Sequence, residues 1–135
     1  MIRANLMRWQ MAKKVLIIDD TEVIREFLEE FFSDSGYEVE TAENGRIGYE
    51  KALLENYALI LCDVHMPEMS GMDMVINLKQ KKPQIPIIMM DSLPGKQAKQ
   101  ANAAGALGCL AKPFDLNELR SMVSRILEGI KLSVK

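Results

Sequence analysis

Three short stretches of this chain contain only apolar side chains: Val15 to Ile18, Leu59 to Cys62 and Ile85 to Met90. They are too short to be buried helices and too continuous for strands with one wet face, so they read as strands covered on both sides. Such strands belong to parallel sheets, whose neighbours must be joined by long crossovers, usually helical. The first crossover fits that requirement. Val23, Ile24, Phe27, Leu28, Phe31 and Phe32 recur as one helical stripe, closed by Gly36.

The remaining segments repeat the pattern. Tyr37 to Thr41 reads as a second strand, and Asn44-Gly45 opens a helix running to about Glu55. After the third strand, a loop marked by Pro67 and Gly71 leads to a helix from Met72 to about Lys81. The fourth strand is followed by a turn at Leu93-Pro94-Gly95 and a small-residue helix from Lys96 to Ala104. A fifth strand lies around Leu107 to Ala111, and Asp115 can cap a last helix whose stripe is Leu116, Leu119, Val123, Ile126, Leu127 and Ile130. Five βα units predict an α/β fold: a doubly wound, five-stranded parallel sheet with helices on both faces.

Composition narrows the function. The formal net charge of −2 offers no basic surface for nucleic acid or acidic lipid. No apolar run approaches bilayer length, and the first ten residues lack the apolar core of a secretory signal, so a cytoplasmic location is expected. Cys62 and Cys109 do not form a CxxC pair and are expected to be buried free thiols. His65 is the sole histidine, which argues against a zinc site or a Ser/His/Asp triad. Met66, Met69, Met72 and Met74 are expected to pack around the third loop and helix.

Ligands of open α/β sheets bind beyond the carboxyl ends of the strands. The residues expected there are Asp19, Asp20, Asp63, Asp91, Ser92 and Lys112. In the flavodoxin-like strand order 2-1-3-4-5, common among such sheets, the first and third strands are neighbours, so Asp19, Asp20 and Asp63 converge. Clustered carboxylates raise one another's pKa unless a cation neutralises them, and oxygen-only donors suit Mg²⁺ or Mn²⁺. Lys112 adds a mobile positive charge beside such an ion. A carboxylate nucleophile, a divalent ion and a lysine together suit phosphoryl transfer to aspartate.

With those residues in place, the chain resembles the response-regulator receiver family over about residues 13 to 131. The matching stretches are Val15-Leu16-Ile17-Ile18-Asp19-Asp20, Asp63-Val64-His65-Met66-Pro67-Glu68-Met69-Ser70-Gly71 and Ala111-Lys112-Pro113-Phe114. The resemblance implies that Asp63 is the phosphoacceptor and that Asp19, Asp20, Asp63 and the backbone carbonyl of His65 hold the metal. It further implies that Lys112 contacts the phosphoryl group and that the Lys112-Pro113 bond is cis. The implied partners are a histidine kinase or histidine phosphotransfer protein, and a downstream protein bound through the fourth helix, fifth strand and fifth helix. Neither nucleic acid nor membrane is expected as a partner, and the chain is expected to be a monomer or weak dimer.

The resemblance fails at two positions. The family usually carries Thr or Ser at the end of the fourth strand and an aromatic residue three positions before the lysine. Here Asp91 and Cys109 stand there. Either Ser92 slips into the hydroxyl role through a bulge, or Asp91 occupies it and the switch is atypical, or the pocket is kept without regulated phosphorylation.

The leading expectation is a stand-alone receiver, since little sequence follows the last helix; it is a phosphoryl acceptor and not an enzyme. The alternative is a phosphorylation-independent interaction module. A phosphohydrolase would want a second acid two residues after Asp63, where His65 stands, and a flavin site rests on fold analogy alone. Residues 1–12 lie outside the resemblance and read as an extension or an upstream start, or, through Ile2, Leu6, Met7 and Trp9, as a short docking helix. Residues 132–135 are expected to be a tail.

Overall fold

The computed structural model of the chain describes residues 13–92 and 100–133. Its elements are β1 (Lys14–Ile18), α1 (Glu22–Asp34), β2 (Glu38–Ala42), α2 (Gly45–Leu54), β3 (Leu59–Asp63), α3 (Gly71–Lys81) and β4 (Ile87–Asp91). Helical residues 100–104 (α4), β5 (Gly108–Ala111) and α5 (Leu116–Ser133) complete them. The sheet is parallel throughout, in the order β2-β1-β3-β4-β5. The flavodoxin-like arrangement expected from sequence is the one observed.

Alternation along the buried strands divides the core in two. Leu16, Ile18, Ile60, Cys62, Ile87 and Met89 face α2, α3 and α4. Val15, Ile17, Leu59, Leu61, Ile88 and Met90 face α1 and α5. Local chemistry fixes the helix ends. Asn44 and Ser70 accept from the backbone N–H of Ile47 and Asp73, at 2.8 and 3.1 Å. Asp115 accepts from Asn117 and Glu118 at 2.8 and 3.3 Å, the cap expected for α5. Gly36, at φ 93°, ends α1 with Gly36 N–H on Ser33 O and Tyr37 N–H on Phe32 O.

Several expected boundaries shift. β2 begins and ends one residue later, and α3 one residue earlier, at Gly71. β4 begins at Ile87, beyond Pro86, and runs through Asp91, whose carbonyl accepts from Lys112 N–H at 2.9 Å. β5 begins at Gly108, one residue later than expected, and α5 continues through Ser133, past the expected start of the tail. The α1 stripe is narrower than its pattern suggests: Leu28 and Phe32 are buried, whereas Val23 is 71% exposed. At 100° per residue, position 27 lies about 120° and position 23 about 160° from the centre of the arc that Leu28 and Phe32 define, so Val23 faces away from the sheet. Phe27 therefore stacks on Phe114 instead, with ring centroids 6.3 Å apart. On α5, Leu116 is likewise exposed.

The cysteines are free, Cys62 buried and Cys109 only half-buried. Both are in register with Met89, one from each side, so they lie two strands apart. That is about 10 Å, beyond disulfide reach. Met74 is buried, and Met66, Met69 and Met72 pack against the same core, as expected. Residues 1–12, the Leu93-Pro94-Gly95 turn and the start of the fourth helix lie outside the described residues. No helix among the described residues is long and apolar enough to cross a membrane.

Candidate functional site

Because all five strands run the same way, β1, β3, β4 and β5 deliver Asp19, Asp63, Asp91 and Lys112 to one edge of the sheet. Asp19 is fully buried and held on every side. Its N–H donates to Ala42 O at 3.1 Å, and its Oδ1 accepts from Thr21 N–H at 2.8 Å. Its carbonyl accepts from the Arg25 guanidinium at 2.8 Å, and its Oδ2 accepts from Lys112 Nζ at 2.6 Å. Asp20, next in sequence, is exposed.

Asp63 ends β3 with little exposure, and α3 is drawn tightly over it. Val64 N–H donates to Met90 O and Gly71 N–H to Val64 O, both at 2.9 Å. A Cβ placed on Gly71 would lie 1.9 Å from the Asp63 carbonyl oxygen, so only glycine permits this approach. The loop between them returns a backbone donor to the site: His65 N–H reaches Asp63 Oδ1 at 3.4 Å.

Carboxylate oxygens of Asp19, Asp20 and Asp63 all lie within 4.8 Å of one another. Lys112 Nζ stands 3.4 Å from Asp63 Oδ1 as well as against Asp19. Burial, and then the charge of Asp19, push the Asp63 carboxyl up to about 6, against the pull of Lys112. Burial alone would lower the Lys112 pKa, but the hydrogen bond and charge of Asp19, with Asp63, more than offset it and raise the value. Lys112 therefore carries its charge, and the Lys112-Pro113 peptide is cis, as expected.

Asp91 and Ser92 separate cleanly. The β4–β5 register runs without a bulge to Asp91 opposite Ala111. Asp91 is fully buried, whereas Ser92 is exposed. The slip that would bring Ser92 into the strand-end position is absent. Among the described residues the acidic cluster does not include Asp91. Its Oδ1 instead lies 3.7 Å from His65 Nε2. Cys109 stands where the family usually has an aromatic residue, two positions before Ala111, the partner of Asp91 in the register; burial, and then the charge of Asp91, raise its thiol.

Sequence reasoning found the carboxylates and Lys112 but not what holds them. Arg25 was one polar residue on a helix, and its contact with the Asp19 carbonyl has no sequence signal beyond its place one turn into α1. The His65 side chain is exposed to solvent and also reaches Asp91, because the loop after Asp63 folds back across the end of β4.

The response regulator receiver domain family matches residues 15–124, and the chain belongs to that family. It is similar to the transcriptional regulatory protein CrdR of Helicobacter pylori, 35% identical over 92% of this chain and 59% of CrdR. The chain thus spans little more than half the length of that relative. Among solved structures it is similar to the chemotaxis response regulator CheY4 of Vibrio cholerae, with 36% identity and a TM-score of 0.77 over 85% of this chain and 98% of that one. The response regulator TrrA of Thermotoga maritima, solved in complex with Mg²⁺-BeF, is 33% identical with a TM-score of 0.78 over 85% of this chain and 99% of TrrA. The donors present here fit a magnesium ion: all are oxygens, they converge from two strand ends, and one of them, Asp20, is open to solvent.

Proposed function

We propose that Asp63 accepts a phosphoryl group from a histidine kinase or histidine phosphotransfer protein, and that the chain serves as a receiver in two-component signalling. The observation that carries this reading is Lys112 Nζ placed between Asp19 Oδ2 and Asp63 Oδ1, at 2.6 and 3.4 Å. An ammonium so placed can follow charge from the carboxylate to the phosphoryl oxygens without leaving the pocket.

Asp20, Asp63, Asp19 and the His65 carbonyl would hold Mg²⁺, which when bound supplies positive charge to the phosphoryl oxygens. The chain's own residues do the rest. An Asp63 carboxylate oxygen forms the new P–O bond as the bond from phosphorus to the donor breaks. Thr21 N–H and Arg25 keep Asp19 fixed while Lys112 pairs with the incoming oxygens. The chain is an acceptor, phosphorylated once per donor, rather than a turnover enzyme. A downstream partner would read the α4–β5–α5 face.

Asp91 belongs to the same reading as an atypical switch residue. A threonine hydroxyl can donate to a phosphoryl oxygen, whereas a carboxylate only accepts and adds like charge. With partial screening by Lys112 and the metal, that repulsion is on the order of 1 kcal/mol, about fivefold in an equilibrium. Asp91→Thr should lengthen the lifetime of the phosphorylated form by about that factor. The decisive experiment is incubation with a small phosphodonor and Mg²⁺, read by intact mass. Wild type should gain one phosphoryl group and Asp63→Asn none; label that persists in Asp63→Asn moves the acceptor elsewhere.

A further inference from the structure

His65 touches two parts of the pocket at once. Its main-chain N–H donates to Asp63 Oδ1 at 3.4 Å, while its imidazole Nε2 lies 3.7 Å from Oδ1 of the fully buried Asp91. We propose that the His65 side chain is the moving part of this receiver: it rests against Asp91 and turns to the phosphoryl oxygens when Asp63 is modified. The inference rests on Asp63 being the acceptor.

Three observations carry it. First, 3.7 Å is longer than a hydrogen bond, so no hydrogen bond fixes the imidazole against Asp91 in the resting pocket. Second, the His65 side chain is 61% exposed and has room to rotate, whereas Asp91 is fixed in the wall. Third, phosphorylation places nearly two negative charges on a residue only two positions away along the chain. One Nε2–H cannot serve two anionic acceptors lying in different directions, so Asp91 and the phosphoryl group compete for it. An ionised carboxylate has no hydrogen to donate, and the donor that a threonine would have supplied comes instead from the imidazole beside Asp91. When the ring leaves, the surroundings of a buried carboxylate change, and the state of Asp63 is passed to the end of β4.

His65 is the sole histidine of the chain, so its ring resonances need no assignment. The full chain, at one fixed pH, is titrated with beryllofluoride and Mg²⁺ while the imidazole signals are followed by NMR. Affinities are measured in parallel for wild type, Asp91→Asn, His65→Ala and the double variant. Asp91→Asn removes the like charge in both backgrounds, a gain of about fivefold, and should tighten the mimic about a further fivefold, the scale of one hydrogen bond, only when His65 is present. The wild-type ring signals should shift in step with occupancy. An equal gain from Asp91→Asn in both backgrounds overturns the shared-histidine device and leaves plain repulsion by Asp91. Ring signals that stay fixed while the mimic binds also overturn it, whatever the variants do. A folded wild type that binds no mimic overturns the acceptor reading itself, and this inference with it.

Discussion

Lys112 Nζ lies 2.6 Å from Asp19 Oδ2, linking the last strand of the sheet to the first across a separation of 93 residues. Asp19 is fully buried and the lysine partly so, which makes this the central charge pair of the pocket. Its worth is conditional. An Asp19 and Asp63 pair without the lysine leaves two carboxylates facing each other in a poorly solvated site.

Lys112→Met tests that. Removing one partner of a buried pair typically costs 3–5 kcal/mol, and because Asp20 opens this cluster to water about 2 kcal/mol is expected. Urea denaturation at neutral pH should show the loss in metal-free buffer and a partial recovery in millimolar Mg²⁺. Unchanged stability without metal would mean that water already neutralises the cluster.

Asp63 gives a pH dependence of defined sign. Its folded value is raised to about 6 from 3.8, so the folded state holds this proton more tightly than the unfolded chain. Its favourable contribution is complete below pH 3.8 and is lost as the pH rises through about 6. A shift of about two units corresponds to at most about 3 kcal/mol of cost once the group is ionised. Asp63→Asn, which cannot ionise, should therefore be about 1–3 kcal/mol more stable than wild type at pH 7.5 without divalent ions. That advantage should vanish near pH 4 and shrink when Mg²⁺ is added. Denaturation midpoints that differ equally at both pH values would contradict the raised carboxyl.

Asp20 separates metal binding from folding. It is the exposed member of the cluster and takes no part in the Lys112 contacts, so its carboxylate contributes little to the metal-free fold. Asp20→Asn should lower Mg²⁺ affinity at least about tenfold, near 1.4 kcal/mol, while metal-free stability stays within about 0.5 kcal/mol. Calorimetric titration measures the first and thermal unfolding the second. Equal Mg²⁺ affinity in the two proteins would remove Asp20 from the site.

What could be read beforehand was whatever depends on one strand at a time. Val15 to Ile18 and Leu59 to Cys62 are buried on both faces, and that condition leaves no freedom in their composition; the acids that end them are equally plain. Lys112 was legible for the same reason, as a lone cation at a strand end. The rest depends on how loops return. Nothing near Arg25 announces that its guanidinium reaches the Asp19 carbonyl, and nothing in His65 announces Asp91, because each contact is set by the path of a connection rather than by a period. Helix α1 shows the same limit: Val23 fits the helical stripe yet lies in solvent, since the stripe's width is decided by the sheet beneath it.

The closest backbone approach in the site offers the most direct test of how the pocket is shaped. A Cβ on Gly71 would meet three backbone atoms: Asp63 O at 1.9 Å, Asp63 C at 2.8 Å and Val64 Cα at 2.9 Å. None of these can swing aside as a side chain would. Gly71→Ala must therefore lift the start of α3 and strain the Gly71 N–H bond to Val64 O, loosening the loop that brings His65 N–H to Asp63. Gly108 is the control, because its added Cβ would meet Met122 Sδ at 2.7 Å, the far end of a flexible side chain. Gly71→Ala should cost about 2–3 kcal/mol of stability and weaken beryllofluoride binding, since it moves the acceptor's own main chain. Gly108→Ala should cost less than about 1 kcal/mol and leave mimic affinity unchanged, because Met122 can change rotamer. The pair is compared by urea denaturation and by beryllofluoride titration in Mg²⁺. If Gly71→Ala bound the mimic as tightly as Gly108→Ala, the tight seat of α3 on Asp63 would be a packing feature with no part in shaping the acceptor.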